Sequence, residues 1–326
     1  MPLLAQLCRL AALATLLSGA PVRANDTVAH LGAGGLEFGS TDVVVMEREH
    51  LRLSPERVSV DYVFRNVTTA PVELRVAFPL PRLDMNEAHG CSDMGIPDRG
   101  QANFLDFATT VGGQPVRMEM QTKAFVKKRD VTALLQSLDI PFADTSARLP
   151  ERLRRLTPTE RARLREAGAL GHDEGCADAP QPLWTAETIY HWQQRFEPGV
   201  ETRISHRYRP ALGGFFVLPH ARGAGPGDEN LKPFCVDEGT WRAIRATPPR
   251  PDGVLLARNL EYILQTARAW SGPIRNFTLT IDKGKPTTIV SLCMTGIRKT
   301  GSTTFEVKRQ NFRSESDINL LFMSVD

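Results

Sequence analysis

The stretch Val58-Ser59-Val60-Asp61-Tyr62-Val63-Phe64-Arg65 places apolar side chains at every second position, Val58, Val60, Tyr62 and Phe64, between Ser59, Asp61, Val63 and Arg65. Successive side chains of a strand point to opposite faces, so this is the pattern of a strand with one face in a core. Val72, Leu74, Val76 and Phe78 repeat the period until Pro79 and Pro81, which lack the N–H a ladder needs and stop it. Val43 to Arg48 reads as a strand just upstream. With 41% hydrophobic and 24% charged residues over 326, the chain has enough apolar surface for one large or two ordinary cores.

Working outward, Phe104 to Val111 and Val116 to Phe125 flank Gly112-Gly113, and residues 184–196 and 200–210 flank Pro198-Gly199. Both read as hairpins, because glycine reaches the positive φ of a tight turn. The strands to residue 210 form an antiparallel sandwich with polar residues outward. Between the strand ending near Phe125 and the next, the pattern turns helical. Asp130 can cap a short helix through Leu138, and Thr157-Pro158-Thr159-Glu160 is a capping box with proline at the first helical position, stopped by Gly168. This insert, at 126–180, is expected to be separable from the sandwich, since its helix signals are local and sandwich edges tolerate insertions.

A glycine and proline stretch from Gly223 to Pro233 reads as a linker, and Asp237 to Ala246 as one helix. Strands then resume at Leu260 to Thr266, Phe277 to Ile281, Thr288 to Leu292, Thr304 to Lys308 and Asn319 to Val325. The expected fold class is all-β. It comprises two β-sandwich-like domains: 25–220 with its helical insertion, and a smaller β domain at 221–326.

The first 24 residues read as a secretory signal peptide. Arg9 precedes the apolar run Leu10 to Leu17, and Val22-Arg23-Ala24 supplies small residues for cleavage after Ala24. No apolar run reaches the roughly 18 residues of a membrane span, so the remainder is expected to be soluble, in the periplasm or outside the cell. Removing residues 1–24 takes away Arg9 and Arg23 and no acid, lowering the formal net charge from +3 to +1. A global attraction to nucleic acid is thereby excluded as a driving force.

Cys91, Cys176, Cys235 and Cys293 remain, an even number in an oxidising compartment, where two disulfides are the default. Three pairings are open. Cys91 with Cys176 and Cys235 with Cys293 keeps each bridge within one half of the chain, each restricting the unfolded chain by roughly 4 kcal/mol in the entropy model. The competing reading is a zinc site from His89, Cys91, His172 and Cys176; the expectation adopted is no metal and no cofactor.

Catalytic signatures are sparse. Gly32, Gly34 and Gly35 mimic a phosphate loop, but Glu37 occupies the place of the third glycine of a dinucleotide fingerprint. There is no G-x-S-x-G elbow, no H-E-x-x-H pair and no P-loop lysine. Pairing across Pro198-Gly199 sets His191 opposite His206 in one register. A shift by one matches apolar faces better, with Tyr190 against Tyr208, Trp192 against His206 and Phe196 against Thr202, and sends the histidines to opposite faces. Residues 123–166 hold eleven Lys or Arg against six acids. Arg152, Arg154, Arg155, Arg161 and Arg165 are therefore the candidate basic interaction surface, set against the plainer reading of a solvated helical face.

Asn25-Asp26-Thr27 with Leu31-Gly32-Ala33-Gly34-Gly35-Leu36, then Ala77-Phe78-Pro79-Leu80-Pro81, Tyr190-x-Trp192-Gln193, His206-x-Tyr208-x-Pro210 and Asp282-Lys283-Gly284-Lys285-Pro286 together resemble the exported bacterial domain-of-unknown-function 4424 family. The resemblance spans nearly the whole mature chain, transfers no catalytic residue, and implies a bacterial envelope location. On that implication the sequons at Asn25, Asn66 and Asn276 go unused.

Two functional readings follow. The first is a non-enzymatic envelope binding or scaffold module, whose partner is an envelope protein, a polymer or an anionic surface rather than nucleic acid. The second is a periplasmic hydrolase of wall or polysaccharide, with Asp84, Glu87, Asp93 and Asp98 as source of a carboxylate pair. The absence of motifs leans away from an enzyme.

Overall fold

A computed structural model describes residues 26–32, 35–90, 94–171, 178–248 and 253–324. With 44% strand and 16% helix the chain is mainly β, as its alternation predicts. Three sheets are built. The first runs in the order Arg129–Asp130, Glu119–Val126, Thr185–Phe196, Val72–Pro79, Thr27–Gly32, Gly35–Gly39, with Leu83–Asp84 also on Thr185–Phe196. The second runs Arg298–Lys299, Thr304–Phe312, Ile274–Asp282, Val44–Leu53, Val58–Asn66, Glu201–Tyr208, Ala108–Val111, Gln114–Pro115. The third runs Gly213–Val217, Leu255–Tyr262, Ile318–Ser324, Ile289–Leu292.

The first two sheets face each other across an aromatic core. Val58, Val60, Tyr62 and Phe64 are all at most 1% exposed, on the face their period assigns them. Phe78 and Trp192 of the first sheet lie with ring centroids 4.9 and 5.7 Å from His206 of the second. Thr185–Phe196 and Glu201–Tyr208 therefore do not form the hairpin expected at Pro198-Gly199. One pairs with Val72–Pro79 and Glu119–Val126, the other with Val58–Asn66 and Ala108–Val111. Both strands carry bulky inward faces, which bury more surface facing across the core than side by side. Trp192 does pack edge-on to His206, but across the sandwich. Asn66 fixes the crossing by donating from Nδ2 to the carbonyls of Ala70 and Phe196. It is fully buried, which removes it as a glycan acceptor.

The expected boundary after residue 220 does not divide the hydrogen bonding. Ile274–Asp282 pairs in parallel with Val44–Leu53, so the last third extends the second sheet, and one pair departs from the antiparallel expectation. Tyr262 and Leu320 of the third sheet join the same core. The opposite face of that sheet, through Leu255, Ala257 and Met323, packs on Trp241 and Ile244 of the helix Glu238–Ala246, which the sequence placed at Asp237 to Ala246 and which Asp237 caps.

The insert contains the helices Thr132–Ser137, Arg148–Arg154 and Pro158–Glu166, the last with its capping box formed and ending before Gly168 at φ +69°. Its separability is not what the packing gives. Leu135, Leu149, Leu153 and Leu164 are fully buried and belong to the main core. Trp184 Nε1 donates to the Phe142 carbonyl at 2.8 Å, tying insert to sheet. Short helices with one leucine stripe need a partner surface, and the sandwich end supplies it.

Candidate functional site

Two polar constellations stand out. The first is sealed. His206 Nε2 donates to Asp26 Oδ1 at 2.8 Å, Thr109 Oγ1 lies 2.8 Å from His206 Nδ1, and the Asp26 and His206 side chains are 0% exposed. Trp270 Nε1 donates to the Asp26 carbonyl at 2.7 Å, and the Tyr62 and Tyr262 hydroxyls meet at 3.1 Å. Burial raises the Asp26 carboxyl, against the opposing pull of His206. Burial, with Glu49 adding to it, also drives the Tyr62 and Tyr262 hydroxyls well above their ordinary value. An acid, a histidine and a hydroxyl in line are the elements of a nucleophilic triad, but a reacting atom must reach the hydroxyl. This line is enclosed by Phe78, Phe107 and Trp192 around the imidazole, so its role is to hold the two sheets together. His191 is elsewhere engaged, accepting at Nδ1 from Arg75 Nη1 at 3.3 Å, with burial lowering its pKa, and does not pair with His206.

The second constellation is an open recess of about 340 Å³. It is lined by Glu87 and Met94, by Gly213, Gly214, Phe215 and Asn259 of the third sheet, and by Glu229, Asn230, Pro233 and Phe234. Phe215 and Phe234 lie with ring planes 19° apart and centroids 6.2 Å apart. Gly213 pairs with Asn259, and a Cβ there would fall 2.4 Å from Asn259 Oδ1, so the amide occupies the space this glycine leaves. Partial burial, with the Asp84 carboxylate adding to it, raises the Glu87 carboxyl. Sequence reasoning missed this site apart from Glu87. Its lining comes from four distant segments, and Gly213-Gly214 before Phe215 was the only local signal.

Of the other loop acids, Asp84 accepts from the backbone of Asn86 and Glu87 as a helix cap, and Asp98 is not among the recess lining. Asp93 lies outside the described residues, as do Cys91, His172 and Cys176, and with them the first expected disulfide and three of the four zinc ligands. His89 donates from Nε2 to the Asp144 carbonyl at 2.8 Å. Among the described residues no three His, Cys, Asp or Glu side chains gather as a metal site. Cys235 and Cys293 form the second expected disulfide. Gly32 and Gly35 pair with each other at the end of a hairpin; Gly34 is outside the described residues. Among the described residues no helix is long and apolar enough to cross a membrane.

The arginines divide. Arg152 Nη2 donates to the Leu138 carbonyl at 2.6 Å and to Glu160 Oε1 at 2.7 Å, and Arg161 donates to the carbonyls of Leu156 and Arg154. These two staple the helices together. The Thr157 backbone N–H, then Arg152, hold the Glu160 carboxyl down at about 2. Arg154, Arg155 and Arg165 stand exposed, with Arg163 beside them.

Solved structures of similar shape include a "putative nutrient binding protein" from Legionella pneumophila subsp. pneumophila str. Philadelphia 1. It is 13% identical, with 92% of this chain and 70% of that one covered and a TM-score of 0.48. A two-domain M1 zinc metallopeptidase mutant bound to L-tryptophan is 11% identical with a TM-score of 0.23. An M1 zinc metallopeptidase mutant from Deinococcus radiodurans is 12% identical with a TM-score of 0.21. This chain covers 43% of each metallopeptidase chain, with 87% of its own length aligned. No curated protein matches. Residues 24–321 match the family described as a domain of unknown function, DUF4424, and the chain belongs to that family.

Proposed function

We propose that the chain is an exported cell-envelope protein working as a non-enzymatic binding or scaffold module, which docks on an anionic surface through its helical insert. The observation that carries this reading is a convergence. Lys127, Lys128 and Arg129 sit in a turn whose Arg129 guanidinium donates to the Ala167 carbonyl, at the end of the helix that carries Arg163 and Arg165. The Arg129 contact thus brings two basic runs far apart in sequence to the same end of the insert, whose buried leucines belong to the main core. Cations spaced on a rigid base lose little entropy when they meet an anionic layer, and each adds about 1 kcal/mol near such a surface. The signal-like first 24 residues and the Cys235–Cys293 bridge support an oxidising location.

Co-sedimentation of the purified chain with phosphatidylglycerol and with phosphatidylcholine vesicles tests it. Binding is expected for the anionic vesicles only, fading with added salt. Replacing Arg154, Arg155, Arg163 and Arg165 with serine should weaken it at least tenfold, about 1.4 kcal/mol, with circular dichroism showing the fold retained. Equal binding by that variant, or none by the native chain, sinks the proposal.

A further inference from the structure

We propose that the recess between Glu87, Asn230, Phe234 and the strands Gly213–Val217 and Leu255–Tyr262 binds a neutral polyhydroxylated ring, a saccharide unit. This site is independent of the basic face. Its volume, about 340 Å³, lies at the small end of ligand pockets, which run roughly 300–1,000 Å³, and suits a small unit rather than a long polymer segment.

The lining selects the chemistry. Its charged side chains are the carboxylates of Glu87 and of Glu229, the latter paired with Lys232, and no lysine or arginine is among the lining residues, which disfavours an anion. Among the described residues no hydrogen bond engages the side chains of Glu87, Asn230 or Asn259. Each amide offers donors and an acceptor together, matching a hydroxyl, which is itself both. Phe215 and Phe234 supply apolar surface for the C–H face of a ring, as aromatic residues do where one side of a ligand is apolar and the other wet. The Glu87 carboxyl, raised by its partial burial, adds a further acceptor. The larger cleft of about 420 Å³ beside Cys293 lacks this character. Its Asp317 already accepts from Leu264 and Gln265, and its Arg309 already donates to the Thr295 carbonyl.

Gly213 is a positioning residue for Asn259. Any side chain at 213 takes the place of the Asn259 amide, and its φ is not in the left-handed region, so the requirement is space alone.

Ligand-observed NMR and calorimetry on the full chain, with D-glucose, N-acetyl-D-glucosamine, D-glucosamine and D-glucuronate as probes, test the assignment. Glucose or N-acetylglucosamine should bind in the millimolar range or tighter, with glucuronate about tenfold weaker or more. Asn259→Ala and Gly213→Ala should each weaken sugar binding by roughly tenfold, the size of one or two lost hydrogen bonds, without moving the melt by more than a few degrees. Glucuronate binding as well as glucose, glucosamine alone binding, no probe binding at all, or sugar affinity surviving Asn259→Ala each overturns it. Should Asn259→Ala fail to fold, Phe215→Leu replaces it and must show the same loss.

Discussion

Asp26, His206 and Thr109 hold one another at 2.8 Å where water does not reach, while Glu87, Asn230 and Asn259 stand around open space with no hydrogen bond to their side chains among the described residues. The residue types are close to interchangeable between the two places. What differs is satisfaction and access. A buried polar group left without its partner costs more than the pair gains, so the sealed line is a structural commitment in which every member depends on the others. The recess groups have water as a default partner, so they can be removed at small cost to the fold and are available to a ligand. Chemistry-bearing residues therefore mark function here where they are least engaged, not where they are best aligned.

The largest effect that can break this contrast comes from Asp26→Ala. It strands His206 among Phe78, Phe107 and Trp192. The loss should be about 3 kcal/mol, the upper end for a buried polar group deprived of its partner. Asn259→Ala should stay within about 0.5 kcal/mol, as for a substitution outside any packed or networked feature. Urea midpoints of both variants decide it, and similar losses would mean that the recess is as structural as the centre. Next in size is Tyr62→Phe, which leaves the buried Tyr262 hydroxyl without its 3.1 Å partner at about 1–3 kcal/mol. Glu87→Gln, measured beside it, should leave the midpoint in place.

How far these sites were legible follows from the range of the forces that make them. Period two placed Val58 to Phe64 correctly, the Thr157 capping box formed as read, and the helix expected at Asp237 to Ala246 is there, because each depends on neighbours within a few residues. The partner of a strand is a long-range choice. Thr185–Phe196 and Glu201–Tyr208 are both strands, as read, yet lie in different sheets, and Ile274–Asp282 finds Val44–Leu53 from the far end of the chain. The same holds for the sites. Asp26 and His206 are 180 residues apart, and nothing local to either announces the other. The arginines were legible as charge but not as roles. Only the fold separates the half-buried Arg152 and Arg161, which reach carbonyls and Glu160, from the more exposed Arg154, Arg155 and Arg165.

The smallest change that still reaches the sealed line is Asp26→Asn, which removes no heavy atom and asks only what the carboxyl charge does there. Burial raises the Asp26 carboxyl above its ordinary 3.8, despite the opposing influence of His206. A folded-state pKa above the unfolded one means that the folded chain holds the proton more tightly. The stability this contributes is fully present below pH 3.8 and is lost as pH rises through the raised folded value. Asparagine is neutral throughout, so its contribution does not change. The stability of Asp26→Asn relative to the native chain should therefore rise with pH across that window and level off above it. Other titrating groups cancel in the difference, provided they sit in the same surroundings in both proteins. Urea midpoints of the pair at a series of pH values give this difference directly. A relative stability that falls with rising pH would mean that His206 holds Asp26 as a carboxylate more firmly than burial resists it. The sealed line would then be a charged pair rather than a desolvated acid beside an imidazole, and its contrast with the recess would rest on access alone.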